Sequence, residues 1–309
     1  MDLIMAGKTV LIVGASGMLG GSILDALISS GKCTLRALVR AEKKDFARQL
    51  EGRGVHAVFG DAMHSSTLAE AVNGVDIVIS ALGNDPATFV PSHANLIEAA
   101  EKAGVARLIP SDFSVDFLKI EESENFNLSM RKQVGRLFEG KRLRPIHVLN
   151  GAFMDTLLDR NVPFINWQSK SVPYFGDGKQ KCDFTAISDT ASFVAAICNE
   201  DDPPEVVRIA GDVLTMTEFA EAASRGMSEE FVPENKGSIE DLEKSIEEKK
   251  RTASHPFEWI AWQYHHNMVT GRAKLDPLDN GRYPEVKPMT VEEFARLHGR
   301  TAVGRGQST

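Results

Sequence analysis

Along the first half of the chain, short apolar runs alternate with stretches in which apolar residues recur every three or four positions. The runs are TVLIVGA, CTLRALVR, HAVFGD, VDIVISALG, ARLIPSDF and RPIHVLNGAF. Runs of this length bounded by Gly, Asp, Ser or Asn predict buried strands. Between them, Leu19, Ile23 and Leu27 share one helical face after Gly17. A second helix is expected to open with Ser65 or Ser66 as its cap before Leu68 and Val72. A third carries Leu96, Ile97 and Ala100 on one face and stops at Gly104. Strands alternating with helices imply right-handed crossovers, and hence an α/β fold with a doubly wound parallel sheet.

Beyond about residue 155 the alternation loosens. VPYFGDGKQKCDFTAI reads as strand, glycine-rich turn, strand, and DTASFVAAICN as a helix capped by Asp189. SIEDLEKSIEEKKR offers Glu240–Lys244 and Glu247–Arg251 pairs opposite Ile239, Leu242 and Ile246, the pattern of a solvated amphipathic helix. The expected organisation is a doubly wound domain over 1–155, with a smaller annex over 156–309 interwoven with the same domain.

With 309 residues, 42% hydrophobic and 25% charged, the chain is long enough for a substantial core. A net charge of −8 argues against nucleic acid or an anionic membrane as the main partner. The apolar residues from Leu3 to Leu27 are interrupted by Lys8 and glycines, which makes them a poor signal peptide, and no later stretch has the length of a membrane span. Cys33, Cys182 and Cys198 are too scattered for a metal or disulfide framework, which suits the cytoplasm. No metal is expected.

Candidate chemistry begins at VLIVGASGMLGGS. Gly14, Gly17 and Gly20 follow a strand and open a helix, the setting in which such glycines cradle a dinucleotide. Gly14 would permit the tight turn and Gly17 close approach of backbone to a pyrophosphate. Gly20 would let the helix pack on the strand, with Ser16, Met18 and Leu19 completing the turn. A Rossmann-type site for NAD usually ends its second strand in a carboxylate; here the strand ends in Arg40, followed by Lys43 and Lys44. A guanidinium grips a 2′-phosphate that a carboxylate would repel, so NADP(H) is the expected cofactor. Glu42 offers a competing ribose acceptor. Asp61, with Ala62 beside it, could accept from the adenine amino group or merely cap a helix. Ala81, Leu82 and Gly83 should line the cofactor at the end of the fourth strand.

With PSDF at 110–113 the chain resembles the NmrA-like and isoflavone-reductase-like group of atypical short-chain dehydrogenases. The resemblance extends over the glycine turn, LVR at 38–40, NGAFMD at 150–155, YFGDGKQK at 174–181, DFTAISDTASF at 183–193 and YPEVKPMTVEEF at 283–294. It implies an NADP-binding domain with a substrate-side annex. The activity it implies is either that of an NADPH-dependent reductase of aromatic or quinone-like substrates or that of a dinucleotide-sensing regulator with a protein partner.

In the reductases a lysine in the helix after the PSEF-like residues does the acid–base work. Aligned on Val134, Arg136 and Glu139, that position falls on Arg131, and Lys132 is one residue later. Arginine binds or polarises an oxygen but does not readily exchange a proton. Arg131 or Lys132 would stabilise an oxyanion, and Ser111 or Asn150 would orient the substrate. Asn150 is also a candidate donor to the nicotinamide carboxamide, and Phe153 could pack against the ring. Asp112 is the remaining acid in this group. Tyr283 and Lys287 have the Tyr-x-x-x-Lys spacing of the wider superfamily, but Pro284 and Pro288 argue against a helix there. Epimerase or dehydratase chemistry on a nucleotide sugar is correspondingly disfavoured. His255, His265 and His266, with Trp259, Trp262 and Tyr264, read as a packed helix with surface histidines or as a pocket wall.

Overall fold

The computed structural model describes residues 7–159, 162, 164–255 and 257–298. The chain forms two compact units, each built from separate stretches. The first comprises residues 1–113, 130–148 and 190–207, and the second 114–129, 149–189 and 208–309.

The first unit holds the strands β1 (Thr9–Val13), β2 (Thr34–Val39), β3 (His56–Phe59), β4 (Ile77–Ser80), β5 (Arg107–Ile109) and β6 (Arg144–Pro145). All run parallel in the order β3-β2-β1-β4-β5-β6. The central β1 pairs Val10 with Leu35 on one side and with Ile77 on the other. Both flanks of β1 and β4 are covered, which is why they read as continuous apolar runs, with Val10, Leu11, Ile12 and Val78 at 0% exposure. The crossover helices are α1 (Met18–Ser30), α2 (Lys44–Glu51), α3 (Ala69–Val72) and α4 (Phe89–Ala103). α1 buries Ile23, Leu24 and Leu27, and α4 buries Leu96, Ile97 and Ala100 before ending at Gly104, as the spacing predicts.

The expected serine cap is not formed. Ser65 and Ser66 lie in a short 3-10 turn, Ser65–Thr67, with no side-chain cap there or on α3. Thr67 dominates this segment: its hydroxyl donates towards the carbonyls of Asp61 and His64 and accepts from the Asp61 N–H at 2.9 Å.

Helix α5 (Phe126–Arg136) follows β5 in sequence and carries Arg131. The chain then passes through β7 (His147–Leu149), β8 (Ala152–Phe153) and α6 (Met154–Leu157). Next come β9 (Ser171–Tyr174), β10 (Cys182–Thr185), α7 (Ile187–Asn199), β11 (Val206–Arg208), β12 (Asp212–Leu214), α8 (Met216–Met227), β13 (Val232–Asn235), α9 (Ile239–Thr252), α10 (Phe257–Val269) and α11 (Val291–His298).

In the second unit β8, β10 and β12 form one small sheet and β9 pairs with β13 in another. The two strands flanking the glycine-rich turn at 176–178 therefore join different sheets. α7 starts two residues before Asp189, so Asp189 is not its cap; its carboxylate instead accepts the Met289 N–H at 2.8 Å. α9 is capped by Ser238 and Asp241, each receiving the other's backbone N–H. Its ion pairs form at i,i+3, Asp241–Lys244 and Glu247–Lys250, while Arg251 turns back to the Glu247 carbonyl. Its other face is not solvated: Leu242 and Ile246 are buried against Phe175. Tyr283 and Lys287 lie outside any helix, Tyr283 in the core at 3% exposure. His266 is buried against Glu243, and His265 packs between Phe164 and Phe175, so neither is a surface histidine.

Candidate functional site

In the first unit β1 lies between β2 and β4, so the connections that follow β1 and β4 run in opposite directions along the sheet and pass over opposite faces. That arrangement opens a crevice at the carboxyl ends of the strands. A cavity of about 420 Å³ occupies it. Its wall is made by Gly14, Ser16 and Gly17 after β1, by Arg40 and Lys43 after β2, and by Asp61, Ala62 and Met63 after β3. Ala81, Leu82 and Gly83 after β4 complete it, with Thr88 and Ser92 at the start of α4.

Two glycines shape the turn from within. Gly14 has φ +90°, and a Cβ there would sit 2.5 Å from the Ala81 carbonyl oxygen. A Cβ on Gly20 would lie 2.1 Å from the Gly14 oxygen, so the first turn of α1 can approach β1 only without a side chain. Gly17 is different. Its nearest neighbour to an added Cβ is 3.4 Å away, so the protein itself does not demand glycine there.

Met18, Leu19 and Gly20 stand behind the wall rather than in it: Met18 is 71% exposed and Gly20 is buried. Arg40 forms an ion pair with Glu42 at 3.2 Å, and Glu42 is not part of the wall. Lys44 begins α2 and also lies outside the wall, whereas Lys43 lies in it and donates to the Ser16 hydroxyl at 2.8 Å. The two residues are adjacent, and only the direction of the turn into α2 separates their roles. Asp61 accepts the Met63 N–H at 2.9 Å, so its carboxylate caps a turn at the cavity's edge rather than a helix.

At the end of β5, Ser111 and Asp112 meet Arg131 of α5. The Ser111 hydroxyl donates to the Leu82 carbonyl at 2.8 Å, tying the end of β5 to the cavity wall. Arg131 is 4% exposed. Its Nε donates to the Asp112 carbonyl at 3.2 Å and its Nη2 to the Asn84 side-chain oxygen at 3.0 Å, while its guanidinium carbon lies 5.6 Å from the centroid of the Phe89 ring. A carbonyl, an amide and an aromatic face thus hold one orientation of a permanent cation. Lys132, half-buried, is turned about 100° around the same helix.

Beneath this array are two histidines. His93 donates through Nδ1 to the Phe89 carbonyl at 2.7 Å and receives the Ser80 hydroxyl at Nε2 at 2.9 Å. Burial lowers its pKa, with the Arg131 charge adding to that effect, so it stays neutral. His147 donates through Nδ1 to Asp112 at 2.5 Å. Burial opposes its charge, but the Asp112 hydrogen bond and carboxylate outweigh it and raise the pKa. The imidazole should therefore titrate above its ordinary pH of about 6.5, observable by NMR. Its contribution to stability is full below that value and is lost as pH rises through the folded-state pKa. A titration at or below the ordinary value would contradict the ion pair. The sequence hinted at His147 only as a histidine inside the apolar run RPIHVLN. Asn84 and Phe89, which fix Arg131, gave no sequence signal.

Asn150 and Phe153 belong to the second unit, outside the wall just described. Asn150 is fully buried, and its side-chain oxygen has no hydrogen-bond partner among the described residues. Phe153 pairs with Thr185 through β8 and β10. Burial pushes the thiols of Cys182 and Cys198 up to about 12, which leaves them unreactive. Among the described residues no cluster of His, Cys, Asp and Glu could hold a metal ion, and no helix is long and apolar enough to cross a membrane.

The sequence pattern of the NmrA-like family matches residues 6–295. A probable pinoresinol-lariciresinol reductase 3 of Arabidopsis thaliana is 27% identical over 306 residues, covering 92% of this chain and 95% of the relative. Among solved structures, AtPrR2 with NADP+ and (+)pinoresinol superposes with a TM-score of 0.78 at 21% identity, covering 94% of this chain and 98% of that one. Leucoanthocyanidin reductase of Vitis vinifera, solved as its binary complex with NADPH, gives a TM-score of 0.77 at 21% identity, covering 96% of this chain and all of that one.

Proposed function

Because the chain belongs to the NmrA-like family, we propose that it is an NADPH-dependent reductase of a carbonyl, quinone or conjugated aromatic small molecule. One observation carries this reading. Arg40 and Lys43 stand in the cavity wall beside the glycine turn, where a site built for NAD would carry a carboxylate. The residues present fit the group: a turn that two glycines keep clear, the start of α4, and the two cations Arg40 and Lys43 after β2, which would attract a 2′-phosphate.

NADPH, when bound, supplies the hydride. Ser16, Gly17 and the start of α1 would hold its pyrophosphate, and Ala81, Leu82, Gly83, Asp61 and Ala62 are the other wall residues that would hold the dinucleotide. Arg131 stabilises the oxygen that becomes negative as hydride arrives, because its guanidinium is already oriented and needs no reorganisation. Ser111 positions the Leu82 carbonyl and offers its lone pairs to the substrate. The proton is assigned to Lys132, one residue later, since an arginine keeps its own. The three free thiols support a cytoplasmic location.

Calorimetric titration with NADPH, NADP+, NADH and NAD+ tests the cofactor. Arg40→Ala should weaken NADP(H) by about tenfold or more and leave NAD(H) nearly unchanged. Equal losses for both would remove the phosphate-grip argument. The permanently protonated Arg131 also favours a second reading, a dinucleotide-sensing regulator that binds a protein partner without turnover. Distinct affinities for NADP+ and NADPH, with no NADPH oxidation by quinones or aromatic enones, would select it.

A further inference from the structure

The second unit contains a cavity of its own, about 600 Å³, lined among the described residues by that unit alone. This is the size of a small-molecule pocket. Three aromatic side chains form its walls: Trp167, Phe175 and Trp262. Each is braced from outside the cavity. Trp167 meets Phe231 edge-on with ring centroids 5.5 Å apart. Phe175 belongs to the core formed with Leu242 and Ile246, and it packs edge-on against His265 at 5.7 Å. Trp262 carries the Lys249 ammonium 4.9 Å from its ring centroid. Each ring thus has a packing partner of its own outside the cavity.

One charged pair interrupts the aromatic lining. Glu234 on β13 and Lys236 just beyond it both line the cavity, with the Lys236 ammonium 2.5 Å from Glu234 Oε1. The other oxygen of Glu234 receives the Ser171 hydroxyl at 2.7 Å. The Lys236 and Ser171 hydrogen bonds hold the carboxyl below its ordinary pKa, so it acts only as an acceptor. A carboxylate acceptor and an ammonium donor side by side match a group that donates and accepts through one atom, which is a hydroxyl. A ligand carboxylate would meet Lys236 but also the Glu234 charge. A bare hydrocarbon would leave the pair without a partner.

We infer that this cavity is a second ligand site, for a planar phenol stacked among Trp167, Phe175 and Trp262, with its hydroxyl between Glu234 and Lys236. The site goes beyond the reductase reading and does not depend on it, since none of its residues belongs to the cofactor cavity.

The test is titration of the full chain with 2-naphthol, with and without saturating NADPH. Binding is followed by calorimetry and by the fluorescence of Trp167 and Trp262, two of the chain's three tryptophans. Saturable binding of equal strength in both conditions is expected, with naphthalene-2-carboxylate about tenfold weaker. Trp167→Leu should weaken 2-naphthol about tenfold through lost stacking. Lys236→Met, at an exposed position, should weaken it about fivefold without moving the unfolding midpoint. NADPH oxidation by a quinone, assayed in Lys236→Met, should be unchanged, so failure of this site and failure of the reductase reading are told apart. Absence of saturable 2-naphthol binding, or binding that both variants leave intact, would overturn the inference.

Discussion

Gly20→Ala should abolish NADPH binding and lower the unfolding midpoint, whereas Gly17→Ala should abolish or strongly weaken binding in a protein that unfolds as the parent does. The contrast follows from what each new methyl group would meet. At Gly20 it would lie 2.1 Å from the Gly14 carbonyl oxygen, in backbone that cannot swing aside. α1 would have to move off β1, at a cost of about 2–3 kcal/mol or more for an overpacked site of this kind. At Gly17 the nearest atom is 3.4 Å away and φ is −83°, a conformation alanine adopts without strain. The protein accepts that methyl; a pyrophosphate lying against the turn does not. Calorimetry with NADPH and thermal melts of both variants check the pair. Full NADPH affinity in Gly17→Ala would mean that the dinucleotide does not approach this turn.

Arg131→Ala should lower kcat/KM for NADPH-dependent reduction by about 10²–10³-fold, the loss usual when one preorganised donor to a developing oxyanion is removed. Lys132→Ala, on another face of the helix, should cost less. Thermal melts separate catalysis from folding, because Arg131 also bonds Asn84 and the Asp112 carbonyl. Arg131→Lys gives the sharper test. Arginine holds its proton throughout the accessible range, so the parent should show no alkaline ionisation from this position. Lysine there introduces a further group that titrates, so the pH profile of kcat should gain an alkaline ionisation that the parent lacks. Unchanged turnover in Arg131→Ala would remove this residue from the chemistry and return attention to Lys132.

Much of this arrangement was legible along the chain, and the reason is local. A parallel strand covered on both faces must be apolar throughout, so TVLIV and IVIS announce themselves, as does the helix ending at Gly104. Gly14, Gly20 and Arg40 are legible for a similar reason: each answers a constraint set within a few residues, at a strand end whose neighbours are known once the strand order is inferred.

What stayed hidden depends on partners distant in sequence. Thr67 rather than Ser65 or Ser66 organises the turn before α3, because the Asp61 backbone comes back to meet it. Asp189 looks like a cap until Met289, a hundred residues on, claims its carboxylate. The strands either side of the glycine-rich turn at 176–178 look like a hairpin, yet β13 and β8 offer other edges and take one each.

By itself, then, the sequence determined the sheet, its crossovers and the glycine turn, since those rest on period, burial and backbone sterics at short range. Only the tertiary structure decided that Lys43 rather than Lys44 faces the cavity and that Asn84, Phe89 and the Asp112 carbonyl orient Arg131. It alone shows that the second unit carries an aromatic cavity lined also by Glu234 and Lys236. A side chain's chemistry is written in its residue type. Its direction and its partners come from packing between segments that no local pattern relates.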